Sequence, residues 1–334
     1  MHGLQRHWQG ITPLHLILLP LSLLFRLLAV ARRLLYRSGV LSSARLPVPV
    51  IVVGNITVGG SGKTPLTLWL ARQLIDSGWH PGIVSRGYTA HGQSSSALPQ
   101  AVRPASNPDE TGDEPVLMAQ RKLCPVWIGR DRAAAGLALL QAHPECDVLL
   151  SDDGLQHYRL QRDFEIAVVD GMRRFGNGLL LPAGPLREPP ARLDSVDAVV
   201  IHGGKAADGE FAMQLHGKVF YNLLNPETTA QVADFHGMRL HAVAGIGHPQ
   251  RFFDHLHHLG LEVQPHPFPD HHRYRPEDLQ FADADAILMT EKDAVKCSAF
   301  ATEKYWVLRV DAQTDPALFQ HILKKIASYG HQTA

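Results

Sequence analysis

The densest chemical signal in the chain is T-V-G-G-S-G-K-T, spanning Thr57, Val58, Gly59, Gly60, Ser61, Gly62, Lys63 and Thr64. A phosphate-binding loop has the form G-x-x-x-x-G-K-[ST], and only its first glycine is replaced here, by Thr57. Glycines let successive backbone N–H groups converge on phosphate oxygens at a helix N-terminus, whose dipole favours negative charge. Lys63 would reach the terminal phosphates and the Thr64 hydroxyl would ligate Mg²⁺. Pro65 suits a first helical turn, where its missing N–H costs nothing. A metal at this loop needs a second acidic site. S-D-D-G-L-Q-H closes an apolar run with Asp152 and Asp153, at the strand end where Mg²⁺ is coordinated in such an architecture.

Other polar groups break up otherwise ordinary sequence. They are S-R-G-Y (Ser85–Tyr88), G-D-E-P (Gly112–Pro115), G-R-D-R (Gly129–Arg132), L-P-A-G-P-L-R-E-P (Leu181–Pro189) and F-P-D-H-H-R-Y (Phe268–Tyr274). The arginines stand at loop positions suited to phosphate. Taken singly, each group reads equally well as a cap, a turn or surface charge, and Asp113 at a helix start is a capping candidate. The cluster His255, His257 and His258 lacks a matching ligand set and reads as a solvated helix face.

The elements that must position these residues alternate. V-P-V-I-V-V-G (Val48–Gly54) has the unbroken β-branched character of a buried parallel strand, and a helix from Thr64 to Ser77 follows. Strands are expected at Gly82–Ser85, Pro125–Ile128, Asp147–Leu150, Glu165–Val169 and Ala198–Ile201, with helices near Glu114–Arg121 and Arg132–Ala142. The pattern predicts an α/β fold of the P-loop NTPase kind, a mostly parallel sheet with helices on both faces. His91–Pro108, rich in Ser, Pro and Gly, reads as a mobile loop. His202–Gly209 is the expected domain boundary, and beyond it strands near Leu240–Ala244, Ala286–Met289 and Tyr305–Val310, with helices near Pro249–Leu259 and Pro316–Ser328, form a smaller α/β lobe. The expected division is therefore 1–45, 46–208 and 209–334.

Composition narrows the classes. With 334 residues, 45% apolar and 19% charged, the chain can bury a large core and is neither disordered nor fibrous. Zero net charge offers no argument for nucleic-acid binding, and three cysteines form no CxxC pair, which suits a reducing compartment. The neutrality hides an asymmetry: residues 1–75 hold no Asp or Glu and carry +8. Within them, 13 of the 17 residues from Leu14 to Val30 are apolar, interrupted by Pro20 and Arg26, which argues against a full transmembrane span. No A-x-A-like site follows, so a signal peptide is not expected. At about 100° per residue, His15, Ser22, Arg26, Arg33 and Arg37 share one narrow stripe. The expectation is an interfacial helix with its arginines among anionic headgroups.

As an ordered set, G-N-I-T-V-G-G-S-G-K-T-P, S-R-G-Y, G-D-E-P, S-D-D-G-L-Q-H, L-P-A-G-P-L-R-E-P, D-H-H and T-E-K-D-A-V-K (Thr290–Lys296) closely resemble the tetraacyldisaccharide 4′-kinase family over nearly the whole chain. The resemblance implies a kinase of lipid A biosynthesis that uses ATP and Mg²⁺. It implies γ-phosphoryl transfer to the 4′-hydroxyl of an acylated glucosamine disaccharide 1-phosphate, a membrane lipid. It implies a bilobal peripheral protein on the cytoplasmic face of the bacterial inner membrane, and calls for neither nucleic acid nor a protein partner. By the same likeness Asp113 would be the acid–base residue, working with a histidine of D-H-H, His271 in preference to His272. Lys63 would act on the transferring phosphate, Asp152 and Asp153 on metal and phosphate, and Arg86, Tyr88, Arg132 and Arg187 on phosphate or substrate. A switch GTPase is the rival class, since T-E-K-D partly matches the guanine-reading [NT]-K-x-D, but its lysine stands one place late.

Overall fold

A computed structural model of the chain describes residues 8, 10, 12–87 and 98–327. Its first helix, α1 (Leu14–Arg37), continues through Pro20 and, at 24 residues, is long and apolar enough to cross a bilayer by length and composition alone. Its polar stripe is divided: Arg26 and Arg37 are exposed, whereas His15 and Ser22 turn inward. Ser22 Oγ donates to the Leu180 carbonyl at 2.7 Å and His15 Nε2 meets Asn177 Nδ2 at 3.1 Å, both side chains being buried. Arg33 Nη2 donates to Ser195 Oγ at 2.7 Å and Arg32 Nη1 to the Gln156 carbonyl at 3.3 Å. The leucines carry the exposure instead, with Leu16 at 74% and Leu27 at 65%. Arg33 thus contacts the body through one hydrogen bond, and the apolar face of the helix is left uncovered.

The first lobe is built on a sheet of nine strands. In chain order they are β1 (Val50–Gly54), β2 (Pro81–Ser85), β3 (Gln100–Val102), β4 (Val126–Ile128), β5 (Val148–Asp152), β6 (Phe164–Asp170), β7 (Ala198–His202), β8 (Glu210–His216) and, much later, β15 (Asp311–Thr314). Their spatial order is β15-β8-β7-β6-β1-β5-β2-β4-β3, and every neighbouring pair is parallel except at the two edges. β1 lies at the centre, buried at every position, which accounts for its V-I-V-V run. Around the sheet pack α2 (Lys63–Asp76), α3 (Pro108–Thr111), α4 (Asp113–Gln120) and α5 (Arg132–Ala142). Of the expected loop His91–Pro108, residues 91–97 lie outside the described residues, while β3 and the start of α3 occupy part of the rest.

The second lobe has six strands, ordered β10-β9-β14-β13-β11-β12. They are β9 (Val219–Asn222), β10 (Thr229–Gln231), β11 (Leu240–Ala244), β12 (Val263–Pro267), β13 (Ala286–Thr290) and β14 (Tyr305–Leu308). Helices α6 (Pro249–His258) and α7 (Glu291–Cys297) accompany it. The two sheets do not divide at residue 208. β8 extends the first sheet beyond the glycine-rich break, β15 returns to pair with it, and α8 (Pro316–Ile326) buries Leu318, Phe319, Ile322 and Ile326 in the first lobe's core. A Gly/Ala/Lys stretch has the same composition whether it joins two strands of one sheet or two lobes, so composition alone misplaced the boundary.

Candidate active site

The glycine loop leaves β1 at the sheet's centre and feeds directly into α2. Gly62 sits in the left-handed region at φ 92°, and a Cβ there would stand 2.8 Å from His202 Nδ1. Only glycine fits both the backbone and the gap. His202 itself donates Nδ1–H to the Ser61 carbonyl at 3.1 Å. Three further hydrogen bonds brace the loop. Asn55 Nδ2 donates to the Gly59 carbonyl at 3.3 Å, Val58 N to the Pro185 carbonyl at 2.8 Å, and Arg173 Nη2 to the Gly60 carbonyl at 3.0 Å. Thr57 pairs with Leu186, and Arg187 N donates to the Ile56 carbonyl at 2.7 Å, so L-P-A-G-P-L-R-E-P lines the loop and delivers Arg187 beside it.

β5 is the neighbour of β1, and its end carries the paired carboxylates. Asp152 is fully buried; its Oδ1 accepts from Thr67 Oγ1 at 3.1 Å, while Oδ2 has no partner among the described residues. Burial pushes its carboxyl up to about 7, and the negative charges of Glu114 and Asp153 outweigh the pull of Lys63. Asp153 turns out of the strand at φ 48°. Its carboxylate meets Lys63 Nζ at 3.6 Å and Arg187 Nη1 at 3.2 Å, and its carbonyl accepts from Arg132 Nη2 at 3.0 Å. Burial alone would raise the Asp153 carboxyl, but Lys63, Arg187 and Arg132 hold it well below the usual carboxylate range. A divalent cation fits this site: Asp152 Oδ2 is an orphaned buried acceptor, and Thr64 stands in the first turn of α2. Among the described residues no group of three or more His, Cys, Asp or Glu is arranged to hold a metal unaided. That matches Mg²⁺, which takes one or two protein ligands and completes its shell from phosphates and water.

Asp113 begins α4 without capping it, since Oδ1 accepts from the adjacent Glu114 N at 3.0 Å and the helix N-cap is Gly112. Its Oδ2 lies 3.1 Å from His271 Nδ1, bringing the two lobes' residues together. His272 instead meets Asp278 at 3.0 Å and stacks on Phe268. His271 is held at φ 59° with its N–H on the Gly245 carbonyl at 3.2 Å. Burial raises the Asp113 carboxyl, but Lys292 and His271 outweigh it and keep it below its ordinary value. The hydrogen bond to Asp113 in turn raises the His271 ring above its own. A cleft beside the pair is lined by Asn107, Asp109, Asp113, His271, Arg273 and Lys296.

This site and the glycine loop are neighbours. A Cβ on Gly247 would lie 3.5 Å from Gly60 N and 3.6 Å from Asp270 Oδ2, so one turn of the second lobe touches both. Arg86 leaves the end of β2, two strands from β1, whereas Tyr88 lies outside the described residues. Residue-by-residue reading passed over Lys292, Asp270, Asp170, Arg173 and Arg251. T-E-K-D was visible but was weighed against a guanine pattern; its Lys292 faces Asp113, and its Asp293 accepts from Gly245 N at 3.1 Å.

A glycine loop between strand and helix on one lobe, beside a carboxylate–histidine pair completed by the other, has the form expected of a nucleotide-dependent phosphotransferase. Comparison with known proteins narrows that class. The tetraacyldisaccharide-1-P 4′-kinase family matches residues 14–327. The tetraacyldisaccharide 4′-kinase of Methylobacillus flagellatus is 52% identical over 323 residues, covering 97% of this chain and 95% of its own. That of an Azoarcus species is 53% identical over 329 residues, covering 96% and 94%. Among solved structures, LpxK from Aquifex aeolicus in complex with ATP superposes with a TM-score of 0.78 at 31% identity, covering 94% of this chain and 99% of that one. The chain belongs to the tetraacyldisaccharide-1-P 4′-kinase family.

Proposed function

We propose that this chain transfers the γ-phosphoryl group of ATP to the 4′-hydroxyl of an acylated glucosamine disaccharide 1-phosphate, in lipid A biosynthesis. The observation that carries the reading is the Asp113–His271 pair, 3.1 Å apart and assembled from both lobes next to the glycine loop. ATP phosphates would lie along Thr57–Thr64, with Lys63 on the transferring group and Arg187 and Arg132 beside it. Asp113 accepts the hydroxyl proton as the acceptor oxygen bonds to the γ-phosphorus and the bond to the β-bridging oxygen breaks, releasing ADP. His271 orients the carboxylate. A sugar hydroxyl is a weak nucleophile, so a poised carboxylate assists it. Asp152 and Thr64 would hold Mg²⁺, which when bound neutralises charge on the phosphates.

The acceptor's acyl chains keep it in a membrane, so the enzyme must come to the lipid. The uncovered leucine face of α1 supplies apolar contact with a bilayer, and we place the protein peripherally on the cytoplasmic face of the inner membrane.

Incubation of the full chain with labelled ATP, Mg²⁺ and the disaccharide 1-phosphate should place label on the lipid. Lys63→Ala should abolish turnover and weaken ATP binding. Asp113→Ala should keep ATP binding and the thermal midpoint while lowering the single-turnover rate by about 10²–10⁴-fold. Unchanged turnover in Asp113→Ala removes that residue from the reaction. Label released only as inorganic phosphate would point instead to the switch NTPase class.

A further inference from the structure

Lys292 projects from the start of α7 into the place where the two lobes meet. Its Nζ lies 3.4 Å from His271 Nε2, 3.8 Å from Asp113 Oδ2, 3.3 Å from Glu114 Oε1 and 3.6 Å from Asp270 Oδ1. The side chain is largely buried, so these groups take the place of its water. Its base is fixed on both sides. Glu291 accepts from Arg121, at the C-terminal end of α4, at 2.8 Å and from Val310 N at 3.1 Å, and Asp293 ties Thr290 Oγ1 at 2.7 Å to Gly245 N, whose carbonyl receives the His271 amide.

An ammonium has three donors and no acceptor. In the neutral ring, His271 Nε2 faces this ammonium with its lone pair, at 3.4 Å against 3.9 Å to Asp270 Oδ1, which leaves the ring proton on Nδ1, pointing at Asp113 Oδ2. We propose that Lys292 is a positioning residue for phosphoryl transfer: delivered by the second lobe, it fixes the tautomer of His271 and holds Asp113 as the carboxylate. The inference rests on the reading of Asp113 as proton acceptor. The charged groups around the pair are Asp109 on α3, Asp113 and Glu114 on α4, Asp270, His271 and Arg273 on their loop, and Lys292 and Lys296 on α7. The other cations are engaged elsewhere: Arg273 pairs with Asp109 at 3.1 Å. Lys296 is bound to Asp293 at 2.8 Å.

The test compares full-length Lys292→Met and Lys292→Arg with wild type, measuring kcat, the KM for ATP, the pH profile of kcat and the thermal midpoint. Lys292→Met should lower kcat by about 10-fold or more at neutral pH, with the KM for ATP within about twofold. It should also move the acid limb of the profile upward by about one pH unit, because Asp113 loses its cationic neighbour. Lys292→Arg, which retains the charge, should leave the limb where it is in wild type and recover part of kcat. It also serves if Lys292→Met fails to fold, since a limb displaced in Lys292→Arg overturns the inference. A Lys292→Met profile superimposable on wild type overturns it, as does lost turnover with an unmoved limb. Asp113→Asn separates the two readings. If Asp113→Asn is inactive and the Lys292→Met profile is unmoved, only the role of Lys292 fails; if Asp113→Asn is fully active, the underlying reading fails.

Discussion

Two residues of the site, Asp153 and His271, occupy the left-handed backbone region although neither is glycine. Each such residue costs about 1–3 kcal/mol and persists only where its surroundings over-determine it. Here they do: three cations converge on Asp153, and His271 is held through its backbone N–H and both ring nitrogens. Strain at these positions aims one carboxylate at the phosphate loop and one imidazole across the cleft. If Asp113 and His271 act as a unit, removing the second after the first should cost little. Each single alanine variant should lower kcat by about 10²–10⁴-fold, and the double variant should fall well short of the product. Single-turnover rates of the four proteins of the cycle decide it, and strictly multiplicative losses would separate the two residues.

At the scale of elements, α1 inverts the usual logic of a surface helix. An amphipathic helix on a soluble body turns its apolar stripe inward, whereas this one docks through Ser22, His15, Arg32 and Arg33 and leaves Leu16, Ile17, Leu23, Leu27 and Leu28 in the open. The exposed set is wide and contiguous, so it marks an interaction surface. Replacing Leu16, Leu23 and Leu27 together with Asn should release the protein from phospholipid vesicles, since burial of each leucine stabilises the bound state by about 2 kcal/mol. Arg33→Glu, which loses a contact to Ser195, should affect vesicle binding far less than the leucine variant. Co-sedimentation with anionic vesicles distinguishes them; wild-type binding by the triple leucine variant would assign the membrane contact elsewhere.

At the scale of the molecule, the lobes meet beside the glycine loop and are tied there by ion pairs to a buried carboxylate. Arg251 of α6 reaches Asp170 at the end of β6 at 2.7 Å, and the same carboxylate holds Arg173, which donates to the Gly60 carbonyl. Asp170 thus adds a side-chain link between the second lobe and the glycine loop. Burial raises the Asp170 carboxyl, but the hydrogen bond from Arg251 and the charge of Arg173 prevail and hold it well below its ordinary value. A depressed carboxylate contributes stability that is complete above its unfolded value of about 3.9 and is lost as pH falls through the folded value. Asp170→Asn should therefore cost about 1–2 kcal/mol near neutral pH, less than a fully buried pair because both arginines reach solvent. The gap in thermal midpoint between wild type and variant should narrow as pH falls from about 5 to about 2. A gap independent of pH would mean that the carboxylate's charge is not what stabilises.

The sequence by itself determined what repeats locally. Unbroken β-branched runs marked the central parallel strands, G-S-G-K-T marked the glycine loop between β1 and α2, and S-D-D at a strand end marked the carboxylates beside it. The period of α1 separated a polar stripe from an apolar one, but the same period is compatible with either face meeting water. Only the body's Leu180 carbonyl, Asn177 and Ser195 decided which face docks. The return of β15 and α8 to the first sheet was equally beyond local reading, because those segments join strands distant in the chain. Lys292 illustrates the rest: it touches Glu114 across 178 residues of sequence. Periodicity and spacing describe neighbours along the chain, whereas a carboxylate–imidazole pair completed from two lobes is a property of contacts that exist only once both sheets have formed and packed.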